Sequence, residues 1–123
     1  MTTISLLLLT LNFAHFLGDF TPLNKWFVKA KQYSKPMWLV IGHGAVNGIL
    51  YGTFVWLIID IKVAMLAFVI EFVTHTIIDV LKGKINQWFP IVEDRNKQIH
   101  WTIMGADQLL HQIVLIFIVY LCS

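Results

Sequence analysis

VAMLAFVIEFVTHTIIDVL, residues Val63–Leu81, is the stretch on which the fold turns. At 1.5 Å per residue it reaches about 28 Å, close to the hydrocarbon thickness of about 30 Å. Glu71, His75 and Asp79 interrupt it at four-residue spacing, which puts all three on one helix face. An acid at mid-bilayer costs about 2.5–3.5 kcal/mol on insertion scales, so this face has to meet protein rather than lipid. Three further apolar stretches are long enough to accompany it: Ile4–Phe20, Met37–Ile59 and Trp101–Leu121, reaching about 25, 34 and 31 Å.

Composition agrees. Of 123 residues 58% are hydrophobic and 13% charged, and mean hydropathy is +0.73. A soluble domain is about half apolar and about a quarter charged, so this chain lacks the charge to cover an ordinary globular surface. Disorder is excluded by the same numbers. A single cysteine, Cys122, leaves no disulfide framework and no cysteine-rich zinc module. A net charge of +2 is too small to suggest nucleic acid. The first span lacks a basic leading region, so it is read as retained rather than cleaved. The expectation is an all-α, polytopic four-transmembrane-helix bundle forming one domain over residues 1–123.

The connections set an expected orientation. Lys25, Lys29, Lys31 and Lys35 fall between the first two spans, and Lys82, Lys84, Arg95 and Lys97 between the last two. The middle turn holds only Asp60 and Lys62. The positive-inside rule places the two basic loops in the cytoplasm and both termini outside, in a bacterial inner membrane. Asn24–Lys35 reads as a short interfacial helix and Asn86–Asn96, with Pro90, as loop.

Polar residues inside the spans are the functional signal. His15 and Asp19, His75 and Asp79, and Asp107 and His111 form three i,i+4 pairs, each on one helix face. His43 and Asn47 form a similar row. Counted from the cytoplasmic ends, His15, His43, His75 and Asp107 lie about 8–9 Å deep in one leaflet, although antiparallel helices reverse the count each time. Asp19 and Asp79 lie one turn shallower, Glu71 and His111 one turn deeper. Imidazoles and carboxylates at one level suit a divalent metal, zinc first, with manganese or iron as alternatives. The donors exceed what one zinc needs. Either two ions are held about 3.5–4 Å apart, or one ion is held while the remaining acids orient imidazoles. The expected ligands are His15, Asp19, His43, His75, Asp79, Asp107 and His111. Glu71 is the candidate general base, with Asp107 also assigned to catalysis. Lys82 either snorkels or holds an anionic substrate group, and Gln108 either contacts substrate or hydrogen-bonds across helices. His100 reads as a solvated interfacial residue. Gly42, Gly44, Gly48 and Gly52 form small-residue rows for close packing, through which a homodimer is also open.

The segments Ala14–Phe20, His43, His75–Asp79 with Lys82, and Asp107–His111 resemble a family of small bacterial and phage membrane proteins catalogued as domain of unknown function 3307. That resemblance spans essentially the whole chain and implies no activity. More distantly, the pattern is similar to inner-membrane metal-dependent hydrolases, which implies a hydrolytic metal site.

The leading expectation is therefore an intramembrane metal-dependent hydrolase acting on a phosphoester or similar bond of an amphiphilic or lipid-linked substrate. One alternative is an ion or proton transporter, although the halves of the spans away from the basic loops carry few polar groups for a relay. Another is a non-enzymatic membrane protein, such as a phage-encoded inhibitor of a host membrane enzyme.

Overall fold

The computed structural model describes all 123 residues. Helix α1 spans Thr3–Phe20. A 3-10 turn at Pro22–Asn24 leads into the short helix α2, Val28–Tyr33. Helices α3 (Met37–Ile58) and α4 (Ile61–Trp88) follow. A 3-10 turn at Pro90–Glu93 precedes α5, Gln98–Cys122. The protein has no strand, and α1, α3, α4 and α5 are long and apolar enough to cross a membrane.

Local chemistry explains the boundaries. Thr2 starts α1 by accepting the Ser5 N–H at 3.1 Å, satisfying a donor the first turn leaves free. Asp60 Oδ1 does the same for Val63 N at 2.9 Å and opens α4 directly after α3. Helix α4 runs past the span expected to end at Leu81 and continues to Trp88. Falling hydropathy does not stop a helix; Phe89 before Pro90 does, because proline disfavours the helical conformation of the residue before it. At 28 residues α4 is about 42 Å long, so its Lys82–Trp88 end projects on the side of the basic connections. Helix α5 begins at Gln98, slightly ahead of the span expected from Trp101. The interfacial helix expected over Asn24–Lys35 condenses to Val28–Tyr33.

Helices α3 and α4 approach most closely. A Cβ on Gly44 would collide with the Thr76 side chain, and one on Gly48 would lie 3.0 Å from the Phe68 carbonyl oxygen. The expected small-residue face therefore packs inside the bundle. Ser34 ends α2 in the left-handed region, φ 56°. It is buried, and its Oγ donates to Val80 O at 2.9 Å. A Cβ on Gly83 would land on Ser34, so α2 docks on α4 because position 83 has no side chain.

The interior divides into two zones. Away from the basic connections, Leu7, Leu11, Tyr51, Val55, Ala67, Leu115 and Ile118 fill the space between the four long helices. Towards those connections the interior is polar: His15, Asp19, His43, Asn47, Glu71, His75, Asp79, Asp107 and His111 are all buried.

Candidate metal centre

Each long helix contributes to the polar zone through residues one turn apart. Helix α1 supplies His15 and Asp19, α3 His43 and Asn47, α4 Glu71, His75 and Asp79, and α5 Asp107 and His111. His43 and His75 are fully shielded from solvent at 0% exposure, and Asp79 is at 2%. The rings form a contiguous group, with centroids 4.3 Å apart for His75 and His111, 5.0 Å for His43 and His75, and 5.1 Å for His15 and His111. Every residue expected as a metal ligand is therefore in one cluster.

Its hydrogen bonds fix the periphery and leave the centre unpaired. His75 Nδ1 donates to Glu71 Oε1 at 2.9 Å, and His43 Nε2 donates to Asp19 Oδ1 at 2.8 Å. Asn47 Nδ2 donates to the same oxygen at 3.4 Å. Gln108 has both ends of its amide engaged. Its Oε1 accepts from His15 Nε2 at 3.1 Å, and its Nε2 donates to Asp107 Oδ2 at 3.1 Å. His75 Nε2, Asp79 Oδ2, Asp107 Oδ1 and His111 Nε2 are buried without any hydrogen-bond partner. With Nδ1 donating to Glu71, His75 directs Nε2 towards Asp79 Oδ2, 3.3 Å away, and Asp19 Oδ1, 3.4 Å away. A ring nitrogen facing two carboxylate oxygens in a buried site needs positive charge there, carried either by a proton on Nε2 or by a bound cation.

The distances suit a metal. Two donors each about 2.0–2.1 Å from a tetrahedral ion stand about 3.4 Å apart, beyond the usual hydrogen-bond range. Besides the two contacts of His75, His111 Nε2 lies 3.5 Å from Asp79 Oδ1 and 3.6 Å from Asp107 Oδ1. His43 Nε2 lies 3.6 Å from Asp79 Oδ2. Three overlapping sets could each hold an ion: Asp19–His43–His75, Asp79–Asp107–His111 and His15–His75–His111, each with donor atoms within 4.8 Å of one another. Asp79 faces the first set with Oδ2 and the second with Oδ1.

Two neighbours of the cluster were not foreseen as site residues. Lys31 Nζ, from α2, lies 3.7 Å from Asp19 Oδ1. His100, expected to be solvated, donates from Nδ1 to Val92 O at 2.8 Å and lines a cavity above the cluster. Lys82 Nζ reaches Asp107 Oδ2 at 3.4 Å and lines the same cavity. Lys31 stands on a separate short helix, at no helical spacing from a ligand, and only tertiary packing brings it over the site. His100 lies in the first turn of α5, seven residues before Asp107, a spacing that puts both on one helix face.

A bundle of four membrane-length helices around a buried histidine–carboxylate cluster is the class these features define. Within it the family is shown by sequence: residues 6–123 match the family described as Protein of unknown function (DUF3307), and the chain belongs to that family. No curated protein and no solved structure matched the chain, and nothing in these comparisons supports the distant likeness to metal-dependent hydrolases.

Proposed function

We propose that the protein is a metal-dependent hydrolase of the bacterial inner membrane, with its site in the cytoplasmic leaflet. The observation that carries this reading is the set of buried nitrogen and oxygen atoms 3.3–3.6 Å apart around His75, Asp79 and His111, of which His75 Nε2, Asp79 Oδ2, Asp107 Oδ1 and His111 Nε2 have no hydrogen-bond partner. Asp19, His75 and Asp79 would hold one divalent ion, zinc by donor chemistry, and Asp79, Asp107 and His111 a second, while His43, whose Nε2 donates to Asp19 Oδ1, would orient that carboxylate. His15 flanks both sets. When bound, the ions supply Lewis acidity to a phosphoryl or acyl oxygen and acidify a water molecule.

The remaining roles follow from the hydrogen bonds. Glu71 Oε1 accepts from His75 Nδ1, which supports a role in positioning that imidazole and raising its basicity beside the general-base role expected from sequence. Gln108 ties His15 to Asp107 and likewise positions ligands rather than substrate. Asp107 accepts from Lys82 and Gln108 through Oδ2 and faces His111 with Oδ1, so it would serve as a ligand held in place by those two donors.

The basic connections are assigned to the cytoplasm by the positive-inside rule. The cavity over the cluster opens on that side and has Ile103 and Met104 in its wall, which suits an amphiphilic substrate reaching the site from the membrane surface. A transport path gains no support, because the far half of the bundle is filled by apolar side chains.

Elemental analysis of the purified chain in detergent tests the reading, paired with phosphoester cleavage before and after chelation. Stoichiometric transition metal and chelator-sensitive, metal-restored cleavage are expected. Cleavage that persists in metal-free protein would overturn it.

A further inference from the structure

We infer that the cavity above the cluster binds the dianionic phosphate of a phosphomonoester through Lys31, Lys82 and Arg95, an inference that rests on the proposed metal centre and narrows its substrate class. The cavity measures about 350 Å³, and Asp79 reaches it from the ligand cluster. An anion seated there therefore lies directly over the metal-binding residues.

The charge balance selects a dianion. Two divalent ions are neutralised by Asp19, Asp79, Asp107 and Glu71. Around the cavity the three basic side chains face two acids, Asp79 and Glu93; with Asp79 counted towards the ions, Glu93 alone opposes them and two surplus positive charges are left. Glu93 is itself taken up by Gln32 Nε2 at 3.0 Å and the Tyr33 hydroxyl at 3.1 Å. A phosphomonoester, whose second pKa is near 6, brings about two negative charges at neutral pH and closes the balance; a diester brings only one.

The lysines are well placed to change partners. Their side chains are only 20% and 29% exposed, and each ammonium sits beside a carboxylate assigned to a metal, Lys31 by Asp19 and Lys82 by Asp107. Once those carboxylates ligate cations, their hold on the ammonium groups weakens, and cations beside a dication site repel one another unless an anion lies between. Arg95 adds a planar donor fork suited to phosphate oxygens. The Trp101 indole fixes its backbone by donating to Arg95 O at 2.9 Å. Ile103 and Met104 offer an apolar wall for the organic part of the ester.

The same headgroup chemistry is presented by a lipid monoester or a water-soluble one, so two non-hydrolysable probes are needed: inorganic phosphate and dodecylphosphonate. Each is titrated calorimetrically into the zinc-loaded full-length chain in detergent. Saturable binding of at least one is expected, weakened about tenfold or more in Lys31→Gln/Arg95→Gln. Both substitutions are on partly exposed side chains, and zinc content verifies that the variant keeps its centre. Arg95→Gln alone carries the test if the double variant aggregates. Preference for dodecylphosphonate assigns a lipid headgroup, and equal affinity assigns a soluble ester; either supports the inference. Absence of saturable binding, or binding indifferent to both substitutions, overturns it. Equilibrium binding is independent of turnover: binding without cleavage removes only the hydrolase reading, and cleavage with a KM unmoved by the substitutions removes only this subsite.

Discussion

Glu71 and His75 are joined Oε1 to Nδ1 at 2.9 Å across one turn of α4, in a part of the bundle that solvent does not reach. This contact fixes which ring nitrogen of His75 faces Asp19 and Asp79. Glu71→Gln keeps an oxygen able to accept the Nδ1 proton, whereas Glu71→Ala removes it. Metal affinity is expected to fall about 10–100-fold in the alanine variant and clearly less in the glutamine variant. Metal-competition titrations measure this. A general base at position 71 would give the opposite pattern, with unchanged affinity and equal loss of kcat in both variants.

Asp79 presents one oxygen to His75 and the other to His111. Asp79→Asn should therefore lower occupancy of both ion positions, with a larger loss of affinity than any change at Glu71. Elemental analysis and circular dichroism on the same sample check this: metal falls while helix content stays. Loss of a single equivalent would assign Asp79 to one ion rather than to both.

Gly83 is where α2 rests on α4. A methyl group there would lie 3.0 Å from Lys31 O and would collide with Ser34. Gly83→Ala is expected to cost about 1–3 kcal/mol by overpacking. Because it displaces the helix carrying Lys31, the proposed phosphate affinity should drop while zinc, if held as proposed by the other helices, is retained. Parallel thermal melts, zinc determination and phosphate titration separate the effects.

Tyr33 donates its hydroxyl to Glu93 Oε2 at 3.1 Å, and that bond holds the phenol pKa above its ordinary value of 10.0. The protonated phenol is the form favoured in the folded protein. The contribution of this bond is thus complete below the unfolded-state value and disappears as pH rises through the raised one. Ultraviolet titration, with Tyr33→Phe as the blank, should show a late tyrosine transition that moves down in Glu93→Gln.

Orientation is open to direct test. In a Cys122→Ser background, Lys97→Cys should react with a membrane-impermeant thiol reagent only in inverted vesicles, and Lys62→Cys only in right-side-out vesicles. The reverse pattern would place the basic cavity outside the cell.

Much of this architecture is legible in the sequence because membrane burial and helix periodicity are both local. Apolar length marks the four long helices, and four-residue spacing marks the shared faces of His15 with Asp19, His75 with Asp79 and Asp107 with His111. The reversal of depth from helix to helix also identifies a common level. Lys31 carries no such mark: it lies twelve positions from Asp19 on another element, and only the docking of α2 against Gly83 brings it near. The end of α4 was misplaced because hydropathy reports the bilayer boundary, whereas the helix ends at the Phe89–Pro90 step. Glu71 could be placed on the right face, but its pairing with His75 Nδ1 depends on ring orientation, which residue spacing does not encode.

The apolar fill between Leu7 and Leu115 has one further consequence. It makes the chamber over Asp79 a cul-de-sac. Reactant and product then use the same doorway and occupy it in turn. On the proposed hydrolase reading, a released phosphate should compete with the next reactant, and turnover should slow as product accumulates in the compartment from which the reactant came.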